Sequence, residues 1–139
     1  ERMLLTGLRV GDRLPVNCTA LGKVLVSCSG EATRESFVAS MTPGAFLNAR
    51  TENTIVDIDK LLEEFDRVAQ QGFALDLEEC ETGMCCAAAP VYDSSGKLAG
   101  AISISGPASR LSPETLQSES SRWAVSAAEQ LSLELGHRP

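Results

Sequence analysis

The stretch from Gly72 to Ser105 constrains the fold more than any other part of the chain. Two runs rich in small apolar residues, Met84–Tyr92 and Leu98–Ser105, flank Asp93-Ser94-Ser95-Gly96, a cluster of turn formers. This predicts a β-hairpin, preceded by a short strand at the start of the stretch and an acidic loop. Pairing Asp93 with Gly96 would set Cys86 opposite Ser103 and Met84 opposite Ser105. Strand side chains alternate faces. One face would then carry Met84, Cys86, Ala88, Pro90, Ala99, Ala101, Ser103 and Ser105, and the other Cys85, Ala87, Ala89, Val91, Leu98, Gly100, Ile102 and Ile104. The second face is mostly apolar and suits a core. The first is small, soft and partly polar, and leaves room for bulky side chains from elsewhere or for a ligand.

With 139 residues, 43% of them hydrophobic, the chain is one domain's worth and large enough for a core. Aromatics are only 4%, so the core must be aliphatic and rich in alanine. The net charge of -7 repels phosphate backbones and argues against nucleic-acid binding by this chain alone. No apolar run approaches the ~20 residues of a membrane span, so no membrane partner is expected. Five cysteines are an odd count, and read as reduced, small hydrophobic residues of a cytoplasmic protein. The chain opens on Glu1 rather than Met and reads as a domain cut from something longer.

Along the chain, Met3–Thr6 predicts a strand, and Gly7–Asp12 a loop or edge segment that Pro15 ends. Caps at Asn17-Cys18-Thr19 open a helix over Ala20–Cys28, with Leu21, Val24 and Leu25 on its apolar side and Ser29-Gly30 as its stop. A short helix over Glu31–Met41 uses Phe37, Val38 and Met41, and Thr42-Pro43-Gly44 breaks it. Residues 45 to 56 are polar and irregular, with a strand possible near Ile55. Ile58–Gln71 carries Leu61, Leu62, Phe65, Val68 and Ala69 at helical spacing, between a cap at Asp57 or Asp59 and a stop at Gly72. Glu78, Glu79 and Glu81 read as a solvated loop, and Asp76 stands just ahead of them. Ser112-Pro113-Glu114 opens a terminal helix that Gly136 ends, with Leu116, Trp123, Ala127, Leu131 and Leu135 as its apolar side.

Two features point to a ligand. A helix starting near Thr19 offers free N–H groups at the positive end of its dipole, where an anion is stabilised. Ser103 and Ser105, two apart on a strand, share a face and can both donate to one oxygen.

Five segments in order carry a family likeness: L-P-V-N-C-T-A-L-G-K at 14–23, T-x-x-T-I at 51–55, Q-G-F-A-L-D-x-E-E at 71–79, G-M-x-C-x-A-A-P-V-Y-D at 83–93 and A-I-S-I-S-G-P-x-S-R-L at 101–111. Together they resemble the C-terminal effector-binding domain of IclR-type bacterial transcription regulators, over nearly the whole chain. The resemblance implies an α+β, GAF-like fold: a mostly antiparallel central sheet with helices on its faces. It implies residues 1–139 as a single effector-binding domain truncated at its N-terminus, and an upstream winged helix-turn-helix domain that reaches promoter DNA. The implied partners are a small organic acid and further copies of the chain, as a homodimer or tetramer. By the same resemblance the ligand carboxylate lies at the backbone of Ala20 and Leu21, Asp76, Cys86, Ser103 and Ser105 make polar contacts, and Met3, Thr6, Leu14 and Met84 form the pocket wall. Two positions depart from the family: Asn17 stands where histidine is frequent, and Leu21 where a small residue is.

Other readings are a ligand-free dimerisation module, a metal site, and a thiol enzyme of GAF type such as a methionine sulfoxide reductase. Cys80, Cys85 and Cys86 have the spacing C-x4-C-C, and adjacent strand residues point to opposite faces, which disfavours tetrahedral ligation. No His or Lys in the local sequence is positioned to lower a thiol pKa, and the acidic surroundings raise it. Neither metal nor cofactor is expected, nor catalysis.

Overall fold

A computed structural model describes residues 9–41 and 47–139. The strand expected over Met3–Thr6, the wall positions Met3 and Thr6, and the breaker at Thr42-Pro43-Gly44 lie outside the described residues. The elements are α1 Ala20–Ser27, α2 Glu31–Ala39, α3 Ile58–Gln71, β1 Ala74–Leu77, β2 Met84–Tyr92, β3 Leu98–Pro107, α4 Pro113–Thr115 and α5 Ser121–Glu134. A π-helical turn over Leu116–Ser120 joins the last two. Among the described residues the sheet has three antiparallel strands in the order β1-β2-β3, with α1 and α3 on one side and α5 on the other. This is the α+β architecture expected. No strand forms near Ile55, whose side chain instead packs beside Val26, Leu61 and Phe65.

The hairpin departs from its expected register in an instructive way. Cys86 faces Ser105 rather than Ser103, and Met84 faces Pro107 rather than Ser105. The turn holds one residue more than expected. Gly96 N–H does donate to Asp93 O at 3.0 Å, but Asp93 N–H donates to Lys97 O, and Gly96 takes the left-handed φ of 77°. That is a three-residue loop closed by a glycine bulge. A second irregularity follows, because Val91 pairs with Gly100 while Tyr92 pairs with Leu98, leaving Ala99 over. Two single-residue shifts sum to two from Gly100 onward, and an even shift leaves those side chains on their original faces. The expected division of faces therefore holds from Gly100 onward, whereas Leu98, shifted by one and paired with Tyr92, moves to the other face. Cys85, Ala87, Ala89 and Val91 build one core cluster with Ile102 and Ile104, and Cys86, Ala88 and Ala101 meet Ala20, Val24, Val68 and Ala74 in another.

The terminal helix presents a different side from the one its leucines suggest. Trp123, Leu131 and Leu135 are 54%, 40% and 45% exposed, while Leu116, Ser120, Ser121, Ala124, Ala128 and Ser132 are buried. The π turn inserts a residue and rotates the helix phase after Leu116. The Ala and Ser side lets the helix approach the sheet closely. Ser132 is satisfied there: its Oγ donates to Ala128 O at 2.7 Å and accepts from Tyr92 N–H at 2.9 Å.

In α1 the expected apolar side is also only part of the answer. Leu25 is exposed at 42%, and Lys23 is buried at 1%. Its Nζ lies 2.8 Å from Glu79 Oε1, 3.2 Å from Glu64 Oε1 and 2.9 Å from Leu75 O, joining α1 to α3, to β1 and to the acidic loop. The loop is thus not wholly solvated, since Glu79 is buried too. Gly22 permits this placement. A Cβ there would meet Thr19 Oγ1 at 2.7 Å and Val16 Cα at 2.8 Å, so α1 lies against the segment before it only because the position is glycine.

Removing one partner of a buried ion cluster strands the others in low dielectric. Lys23→Ala is expected to cost about 3–5 kcal/mol, read as a lower midpoint in urea unfolding. Adding Glu64→Gln and Glu79→Gln to that variant should recover part of the loss, because the stranded charges are then gone.

Candidate functional site

A cavity of about 430 Å³ opens between the start of α1 and the sheet face that carries the serines. Its lining includes Leu14, Ala20, Leu21, Asp76, Met84, Cys86, Ser103 and Ser105. Each described site residue expected from the sequence therefore borders one space.

The helix wall is built by the first of the five segments that carry the family likeness, L-P-V-N-C-T-A-L-G-K. Thr19 has extended backbone angles and its Oγ1 accepts from Gly22 N–H at 3.1 Å, while its O–H donates to Pro15 O at 2.6 Å. The cap thereby occupies one of the orphan amides of the first turn. The amides of Ala20 and Leu21 have no acceptor among the described residues, and both residues line the cavity. Asn17 Nδ2 donates to Asn48 O at 3.1 Å and to Ile55 O at 2.9 Å, so it fastens the irregular segment 48–55 to the base of the helix.

The sheet wall is a row across all three strands. Asp76 on β1 faces Cys86 on β2, which faces Ser105 on β3, and in the next row Ala74 and Ala88 lead to Ser103. Ser105 Oγ–H donates to Cys86 Sγ at 3.0 Å. Asp76 is 2% exposed. Its Oδ1 accepts from Glu79 N–H at 2.7 Å and Cys80 N–H at 3.4 Å, and no donor among the described residues reaches its Oδ2. Burial pushes its carboxyl up to about 6, against the partial relief of those amide bonds. Burial likewise pushes the Cys86 thiol up to about 11, although the Ser105 hydroxyl lowers it somewhat. Such a thiol is protonated at neutral pH and a poor nucleophile.

Sequence reasoning did not find Arg50, Cys80 and Glu81, which also border the cavity. Arg50 belongs to the irregular segment, whose position only tertiary bonds define. Thr51 Oγ1 donates to Glu78 O and Thr54 Oγ1 to Glu79 O, both at 2.6 Å, so the T-x-x-T motif clasps the acidic loop. That motif was the available signal for the neighbourhood of Arg50. Cys18, fully buried, lies against Cys80, and its thiol is pushed up to about 12 by burial first and by Cys80 second. Among the described residues, no group of three His, Cys, Asp or Glu side chains is arranged to hold a metal ion, and no helix is long and apolar enough to cross a membrane.

Comparison with known proteins shows the family and the fold. The family model for the C-terminal domain of IclR bacterial transcriptional regulators matches residues 1–133. The HTH-type transcriptional repressor AllR of Salmonella typhi is 35% identical over 130 residues, which cover 94% of this chain and 46% of AllR. The chain thus spans about half the length of the curated relatives it matches. Among solved structures, the C-terminal domain of the Escherichia coli regulator KdgR superposes with a TM-score of 0.75 at 36% identity, covering 91% of this chain and 74% of that one. A double mutant of the PobR inducer-binding domain from Acinetobacter, in complex with 3-hydroxybenzoic acid, superposes with a TM-score of 0.79 at 28% identity, covering 95% and 73%. These relatives are transcription regulators rather than enzymes, and this chain belongs to their family, the IclR-type bacterial regulators, whose C-terminal domain it matches.

Proposed function

We propose that this domain senses a small carboxylic acid and passes the event to DNA-binding domains elsewhere in the full protein. The observation that carries the reading is the convergence, on one cavity, of two uncommitted helix amides and a polar row from three strands. The ligand carboxylate takes the amides of Ala20 and Leu21, where the α1 dipole favours an anion. Ser103 donates to a ligand oxygen from the opposite wall, Ser105 does so by turning its hydroxyl away from Cys86 Sγ, and Leu14 and Met84 supply apolar contact. Mixed walls of this kind are usual for small-molecule sites.

Asp76 adds a condition. Its free Oδ2 needs a donor, supplied either by a hydroxyl of the ligand or by its own proton. A ligand bridging α1 and β3 also draws helix and sheet together, and it shifts a conformational equilibrium by its differential affinity for the closed and open arrangements. In the full protein that shift alters how copies of the chain, as a dimer or tetramer, present an upstream winged helix-turn-helix domain to promoter DNA. A relative's inducer-binding domain held with an aromatic hydroxy acid supports an acid of that general size.

A thermal-shift screen with glyoxylate, isobutyrate and 3-hydroxybenzoate tests the reading. At least one acid should raise the melting temperature by linkage, and Ser103→Ala with Ser105→Ala should weaken its binding at least about tenfold while leaving stability nearly unchanged. No shift with any acid would favour the ligand-free dimerisation module instead.

The proton on Asp76 gives a second test. Its carboxyl sits at about 6 in the folded chain, above its ordinary 3.8, so the native state keeps a proton that the unfolded chain has released. The stability this carries is present below the unfolded value and is lost as pH rises through 6. Asp76→Asn should therefore melt higher than wild type at pH 7.5, with the gain gone by about pH 3. Isobutyrate brings no donor, so it should bind wild type more tightly at pH 5.5 than at 7.5, and the variant with much less pH dependence.

A further inference from the structure

The cavity has an electrostatic problem that the helix amides do not solve by themselves. Asp12, Asp76 and Glu81 border it, in a chain of net charge -7. A helix N-terminus contributes only modestly toward holding an anion. Three carboxylates around a partly enclosed space oppose one with comparable strength. An anionic ligand entering here needs a cation.

Arg13 and Arg50 both border the cavity, and neither forms an ion pair among the described residues. Their mountings differ. Both are exposed, but Arg13 follows the Arg9–Asp12 turn at the rim. Arg50 stands on a segment fixed to both walls. Its own N–H donates to Thr54 Oγ1 at 2.9 Å, Thr51 and Thr54 clasp the carbonyls of Glu78 and Glu79, and Asn17 ties the carbonyls of Asn48 and Ile55 to the base of α1. Arg50 therefore stands on an anchored loop and lines the same cavity as Ala20 and Leu21, with no ion-pair partner for its side chain among the described residues.

We propose that Arg50 is the charge-selecting residue of this cavity, facing the carboxylate held at the start of α1 and favouring it over a neutral group of the same shape. The proposal rests on the acid-sensing reading above. The guanidinium presents a planar fork that matches a carboxylate, where the helix amides offer only two parallel donors. It also cancels the repulsion that Asp76 and Glu81 impose on an anion but not on a neutral amide.

The test is isothermal titration of the 139-residue chain with matched pairs: 3-hydroxybenzoate against 3-hydroxybenzamide, isobutyrate against isobutyramide, and glyoxylate against glyoxylamide. Wild type should prefer the acid in whichever pairs bind. Arg50→Gln should reduce that preference at least about tenfold with amide affinity and melting temperature unchanged, and Arg50→Lys should restore part of it. Arg13→Gln should have a smaller effect. An unchanged preference in Arg50→Gln, or equal losses in the Arg13 and Arg50 variants, overturns the assignment while leaving acid sensing intact. Failure of every acid to bind wild type removes the sensing reading, and the role of Arg50 with it.

Discussion

The ammonium group of Lys23 holds together parts of the chain that have little else in common. It leaves an eight-residue helix, crosses the core, and ends on two carboxylates and a strand carbonyl. A charge placed so deep is stable only with its full set of partners. Its geometry therefore fixes where α1 lies relative to the loop after β1. That loop carries Asp76's amide donors at its start, while α1 carries the cavity's free amides. The two walls of the candidate site are coupled through one side chain that touches neither ligand-facing group. Gly22 serves the same end from the other side, since only a missing Cβ lets the capped turn close on Pro15 and Val16.

Much of the fold was legible because it rests on local rules. The α3 boundaries follow from the Asp57 cap, whose carboxylate accepts from Lys60 N–H at 3.0 Å, and from the left-handed Gly72. The division of hairpin faces follows from alternation alone. The register did not, because turn length and bulges depend on backbone choices that several sequences of Asp, Ser and Gly can make. The terminal helix misled for a related reason. Its large apolar residues suggested a buried side, but a helix lying close on a sheet of alanine and glycine needs small residues at the contact, and Ser and Ala met that need. Hydrophobicity reports the tendency to leave water, whereas burial here was decided by the distance between backbones.

The site divides along the same line. Cys86, Ser103 and Ser105 sit on the two hairpin strands, so their shared face could be read from spacing, whereas Asp76 on β1 was implied only by the family resemblance. Ala20 and Leu21 follow from a recognisable cap. Lys23 and Glu79 could not be identified as buried, because each charge is rare in a core except beside the other and the two lie 56 positions apart. Arg50 belongs to a segment without periodicity, held by hydroxyl and amide bonds to distant carbonyls. Contacts of that kind leave no pattern in the order of residues.

The paired irregularities of the hairpin bear on how such domains change length over time. A single insertion or deletion within the paired residues of β3 at Leu98–Gly100 that no bulge takes up would reverse the parity of the strand, sending Ile102 and Ile104 toward the cavity and Ser103 and Ser105 into the core. The loop tip at Ser94–Gly96 is under no such constraint, since a residue added there lengthens the loop and leaves the register alone. Length is therefore free to drift at the tip of this hairpin and is held fixed at its base.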